Sequence, residues 1–184
     1  MNPLETLLTR KSHNKLTQPA PTEAQVKILM QAALRAADHA QLKPWHYRIY
    51  TDESLRQLGE HFVTATMSID PDCSIEKQDK IRKKPLRAPM VIVATVKIVE
   101  HRKVPEIEQI LSAGASVQNL IMAAHFQQIG AIWRTGDLAF NRKLMDLIGL
   151  EGNESIVGFV YLGQELGDKK PVPNVEQADF VEWV

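Results

Sequence analysis

One cysteine, Cys73, stands in 184 residues, so no disulfide can close within the chain and no cysteine cluster can hold zinc or an iron–sulfur centre. Charge of either sign is not in excess: 22 lysines and arginines balance 22 aspartates and glutamates. A nucleic-acid binder carries a strong positive surplus, so no nucleic-acid partner is expected. Long apolar runs are also missing. The longest, Met90–Ala94 and Leu120–Ala124, fall far short of the ~20 residues that span a bilayer, and no membrane partner is expected. The opening Met1-Asn2-Pro3-Leu4-Glu5 does not read as a secretion signal. These absences predict a soluble, cytoplasmic protein.

Chemical signatures are sparse as well. No P-loop and no Gly-x-Gly-x-x-Gly turn is present, and no Gly-x-Ser-x-Gly elbow. The histidines (His13, His39, His46, His61, His101, His125) show no paired metal spacing, and Cys73 has no histidine near it in sequence. Neither a catalytic nucleophile nor a bound metal is expected.

What remains is ample for one core. A mass of 20.7 kDa with 44% hydrophobic residues scales to roughly 9,000 Å² of folded surface against about 30,000 Å² unfolded. One domain over 1–184 is therefore expected, with a tail from about 164 to 184 whose Phe180, Val181, Trp183 and Val184 pack on the body or on a partner subunit. Asn2, Pro3 and Glu5 are placed to cap a first helix ending near Thr9–Arg10. Thr22 and Gln25 form a capping box ahead of apolar positions that keep helical spacing from Val26 to Ala37. His46–Tyr50, Met90–Val96, Ala131–Thr135 and Ile156–Leu162 read as strands, Met90–Val96 as one buried on both faces. Helices are expected from Glu53 to Ile69, from Asp70-Pro71 to Pro85, over Pro105–Gln128, and over Asn141–Ile148 with Gly149 as its stop. That order predicts an α+β sandwich.

Three segments concentrate binding groups, and each has two readings. Arg10-Lys11-Ser12 follows the first helix; together these side chains suit a phosphate, or the two cations simply complement a helix C-terminus. The stretch from Arg35 through Asp38-His39 to Lys43-Pro44-Trp45 is a ligand-reading loop or a solvated connector. Gly130-Ala131-Ile132-Trp133-Arg134-Thr135-Gly136 flanks a planar ligand, or holds a core tryptophan beside a surface arginine.

In this order the segments resemble the nitroreductase family of flavoproteins, and most closely its small YdjA-type members. The family's Arg-Arg-Ser stands here as Arg10-Lys11-Ser12, and its Gln-Pro-Trp loop as Ala37 to Trp45. Its Trp-Arg-Thr/Ser-Gly stands as Trp133 to Gly136, and its closing strand as Ile156-Val157-Gly158-Phe159-Val160-Tyr161-Leu162-Gly163. The resemblance implies a nitroreductase-like α/β sandwich, with a central, mostly antiparallel sheet flanked by helices. It implies a homodimer with flavin mononucleotide (FMN) at the subunit interface and NADH or NADPH as electron donor. Carried over, Arg10, Lys11 and Ser12 hold the phosphate end, and Trp133, Arg134 and Thr135 line the site. Arg35 and His39 reach the flavin bound mainly by the other chain. The implied reaction passes a hydride from NAD(P)H through the flavin to electron-poor small molecules, nitroaromatics or quinones, by a ping-pong mechanism. Lys11, Asn14, Gln41 and Lys43 depart from the family pattern, and Lys15 stands ready to compensate for Asn14. Two other functions compete: a flavin or small-ligand-binding homodimer without turnover, and a structural dimerisation module.

Overall fold

The computed structural model describes residues 3–167, 171, 172 and 174–184. Helix α1 runs Pro3–Thr9, strand β1 Leu16–Thr17, α2 Glu23–Ala33, β2 Trp45–Thr51, α3 Asp52–Met67 and α4 Ile75–Arg82. Strand β3 follows at Met90–Lys97, then α5 Glu106–Phe126, β4 Gly130–Arg134, α6 Arg142–Leu147 and β5 Glu154–Glu165. Every strand pairing is antiparallel. The sheet order is β1-β5-β3-β2, with β4 also on β5. The expected α+β sandwich is what forms.

Strand alternation builds three layers. Along β3, Val91 and Val93 pack into a cluster with Leu58 and Phe62 of α3 and Leu144 of α6. Met90, Ile92 and Ala94 point the other way, into Leu29 of α2 and Val117, Leu120 and Ala124 of α5. Both faces of the strand are covered, so Met90–Ala94 is an unbroken apolar run rather than an alternating one, and burial continues through Val96.

Local signals explain most boundaries. Thr22 and Gln25 close the expected capping box on α2. The Asn141 side chain accepts the Leu144 N–H at the start of α6, and Gly149 takes the positive φ of 75° that follows it. Other expectations are corrected. Helix α2 stops at Ala33, not Ala37, because Ala36 and Ala37 leave the helix to cross α5, where Ala37 O accepts the Ser112 hydroxyl. Helix α4 begins behind Ser74, which accepts the Lys77 N–H. Asp70 caps nothing there, and its carboxylate instead pairs with Lys77 Nζ at 2.6 Å. Strand β5 continues to Glu165, into what was expected to be tail, because the two-residue β1 pairs with Gln164 and Glu165. The expected Asn2 cap lies outside the described residues.

No described helix is long and apolar enough to cross a membrane. Among the described residues no group of three histidine, cysteine, aspartate or glutamate side chains could hold a metal ion. Cys73 is buried.

Candidate functional site

The segment leaving α1 is fastened to the start of β4 by His13. Its backbone N–H donates to Ala131 O at 3.0 Å, and its Nδ1 accepts the Ala131 N–H at 3.2 Å. Because Nδ1 accepts, the ring proton sits on Nε2, which faces Glu165 Oε1 at 3.5 Å. Lys11 Nζ approaches the same carboxylate oxygen at 3.6 Å. Lys11 and Ser12 thereby line a cleft of about 380 Å³ with Lys15 and Glu165.

His125, near the end of α5, borders this group. The Thr9 hydroxyl already donates to Glu5 O, so His125 Nε2 donates to Thr9 Oγ1 at 3.2 Å. Burial holds the His125 pKa below its ordinary value. The charges of His13, Arg10 and Lys11 push it the same way, against Glu165. Lys11 and His13 thus share one carboxylate, with His125 and Arg10 close by, an environment suited to an anion.

At the other end of β4 lies a second cavity, of about 680 Å³, that Trp133, Arg134 and Thr135 all line. Alternation along β4 sends neighbouring side chains to opposite faces. The Trp133 indole lies on the α5 side, donating to Val157 O at 3.3 Å and packing close over Gly158, where any Cβ would collide with it. Arg134 turns to the α3 side and places its guanidinium over the Tyr161 ring, 5.8 Å from the centroid. Its Nε is buried and has no hydrogen-bond partner among the described residues. Tyr161 is pushed up to about 12 by burial, with Arg134 and Arg87 acting in opposition.

Arg35 and His39 line neither of these cavities. Their loop is tied to the first half of α5: His39 Nδ1 meets Glu108 Oε2 at 2.6 Å, and Ala37 O takes the Ser112 hydroxyl. Glu108 and His125 are about 25 Å apart along the helix at 1.5 Å per residue. Within one chain, then, Arg35 and His39 stay far from Lys11 and Ser12. The structure brings Lys11 and Ser12 to one cleft and sets Trp133, Arg134 and Thr135 along the second cavity, with the Trp133 and Arg134 side chains on opposite faces of β4. It leaves Arg10 beside His125 and the Arg35–His39 loop apart.

Sequence reasoning did not assign Lys84, Arg87 and Tyr161, which line the second cavity, or the His13 clamp. In sequence, Lys84 belongs to the basic segment Lys77–Lys84, which reads as a solvated helix face or as a flank of the site. Nothing local marks which of those cations turns inward.

A model of the nitroreductase family matches residues 7–164. The Escherichia coli (strain K12) protein provisionally named NAD(P)H nitroreductase YdjA is 36% identical, over 89% of this chain and 88% of its own length. A Haemophilus influenzae protein with the same provisional enzyme name is 34% identical over the whole of both chains. Among solved structures, a nitroreductase-like family protein from Bacillus cereus superposes with a TM-score of 0.87 at 20% identity, covering 100% of this chain and 96% of the other. A Desulfovibrio desulfuricans nitroreductase in complex with FMN gives a TM-score of 0.75 at 18% identity, covering 100% and 98%.

Proposed function

This chain belongs to the nitroreductase family, and from that premise we propose that it is an FMN-dependent oxidoreductase that works as a homodimer. When bound, FMN supplies the redox chemistry, accepting a hydride from NADH or NADPH and returning it to an electron-poor acceptor such as a quinone or nitroaromatic. Donor and acceptor use one site in turn, so ping-pong kinetics are expected.

The residues present fit that cofactor. Arg134 Nε is a buried donor without a partner among the described residues, a state that costs about 1–3 kcal/mol. A planar heterocycle rimmed with carbonyl and ring-nitrogen acceptors satisfies such a donor. The cavity volume of about 680 Å³ lies within the range of ligand pockets. At the other end, Arg10, Lys11 and Ser12 would hold the phosphate, Arg10 through paired bonds and Ser12 through its hydroxyl. Trp133 would wall the ring site from the α5 side. Lys15 lines the same cleft as Lys11 and Ser12 and adds the charge that Asn14 lacks.

The observation that carries the dimer is the separation along α5. In an isologous pair with the two α5 helices antiparallel, the Glu108 end of one lies beside the His125 end of the other. The partner's Arg35–His39 loop is then delivered to the phosphate side of each site. Surface area agrees: 11443 Å² is accessible, about 2,500 Å² beyond what a compact monomer of this mass exposes. Apolar side chains account for part of it, with Leu111 at 64% exposure on α5, Phe140 at 77% and Trp183 at 96%. The described part of the tail, Trp183 included, would pack on the partner. A lone buried cysteine suits the reducing cytoplasm, where we place the protein.

An absorbance spectrum of the purified protein, with NADH and NADPH oxidation assayed against a quinone, tests this reading. Flavin absorbance with turnover supports it. Colourless protein that gains no activity from added FMN overturns it, and bound flavin with negligible oxidation favours a binding protein without turnover.

A further inference from the structure

The second cavity has an apolar floor and a rim of uneven charge. Phe62, Ile81, Phe159 and Tyr161 make up the floor. Around it stand Lys77, Lys84, Arg87 and Arg134 against two carboxylates, Asp70 and Asp137. Lys77 is taken by Asp70 at 2.6 Å. Lys84 and Arg87 form no ion pair with any described residue, and only Asp137 offsets the charge on Lys84.

Local geometry puts these two cations together. Arg87 closes the 3₁₀ turn Pro85–Arg87, and its N–H donates to Lys84 O at 3.3 Å. Residues three apart on such a turn project the same way. Burial and the neighbouring Arg87 charge both depress the Lys84 pKa, as expected for like charges held side by side in partial shelter from water. In a chain with no net charge, this is a local surplus that the fold does not neutralise. It persists at the mouth of the cavity, where a flat partner would meet the flavin ring held within.

We propose that Lys84 and Arg87 read an anionic substituent, a carboxylate, sulfonate or phosphate, on the planar redox partner that enters this cavity. The site thereby selects charged partners over neutral ones of the same redox type. This rests on the nitroreductase reading of the cavity and adds a substrate class to it. Two sources share the chemistry: an acidic acceptor, and the extra phosphate that distinguishes NADPH from NADH.

The test compares kcat/KM for a naphthoquinone with its ring-sulfonated derivative, and for NADPH with NADH, in the native enzyme and in Arg87→Gln. Comparing ratios between the two enzymes cancels differences in reduction potential between the quinones. Loss of one such contact is expected to lower the sulfonate-to-parent ratio about tenfold. In the native enzyme, added salt should lower kcat/KM for the sulfonate far more than for its parent. A drop confined to the NADPH-to-NADH ratio assigns the anion to the donor. If neither ratio moves and salt is without effect while the protein remains yellow and active, the proposal is overturned and the nitroreductase reading stands. Protein that oxidises neither donor removes both.

Discussion

His13 and Ala131 hold each other twice, through the His13 N–H to Ala131 O at 3.0 Å and the Ala131 N–H to His13 Nδ1 at 3.2 Å. The second bond uses a side chain where a strand partner would offer a backbone carbonyl, so the register between the α1 exit and β4 depends on one imidazole. That register sets where Lys11 and Ser12 stand relative to Trp133 and Arg134.

His13→Ala leaves the Ala131 N–H without its acceptor and should cost about 1–3 kcal/mol in denaturant unfolding. FMN affinity should fall with it. His13→Asn, whose side-chain carbonyl can accept the same N–H, should recover most of both. Equal losses in the two variants would mean that the bond to Nδ1 does not hold the segment.

Arg10→Ala removes a charge-assisted phosphate contact worth about 1.5–3 kcal/mol, so the FMN dissociation constant should rise roughly 10- to 100-fold. Quenching of flavin fluorescence on titration reads this directly. An unchanged constant would return Arg10 to the role of a helix-end charge.

Subunit mixing tests how the site is shared. Arg10→Ala and Arg35→Ala should each weaken FMN binding as homodimers. Coexpressed, they form mixed dimers in which one site keeps both arginines and the other loses both. Recovery of high-affinity binding in about half the sites of the mixed dimer is expected, and no recovery would place both residues in one subunit's site.

Gly158→Ala drives a methyl into the Trp133 indole and toward Arg134 O, 2.9 Å from the added atom. Overpacking of this kind costs about 1–3 kcal/mol, and the near-ultraviolet circular dichroism of the indole should change. A well-folded variant with an unaltered spectrum would show that the strand pair can shift to make room.

All three tyrosines resist ionisation. Burial raises Tyr47 and Tyr50 above 10.0 and takes Tyr161 to about 12. The unfolded chain loses its phenolic protons near pH 10, before the folded one does. The folded state therefore keeps this contribution below pH 10 and loses it progressively as the pH rises toward 12. Phenolate absorbance near 295 nm should lag behind that of the denatured protein, and Tyr161→Phe should remove the last step.

The histidine beside the basic cluster acts on the acid side. The depressed pKa of His125 means that the unfolded chain binds its proton first, so stability should fall as the pH drops through about 6.5 and below. His125→Gln should flatten that decline in thermal unfolding measured from pH 7 to 5. A decline of the same slope in the variant would assign it to other groups.

Sequence alone was enough wherever the signal lay within a few residues. The Thr22–Gln25 box and the Asn141 cap name their own hydrogen-bond partners, and the unbroken run in β3 announces burial on both faces. The order of Arg10-Lys11-Ser12, the Arg35–His39 loop and Trp133-Arg134-Thr135 was enough to suggest the family. Tertiary structure decided what depends on distant partners. Leu16–Thr17 is a strand only because Gln164 and Glu165 come alongside, and α2 ends early because Ala37 O meets Ser112. Trp133 and Arg134 part to opposite faces, and one turn after α4 carries Lys84 and Arg87 to the cavity mouth. A cap is a local bond between near neighbours and is written in their identities. A site is a convergence of side chains from separate elements, and its geometry exists only once the sheet has been laid down and covered.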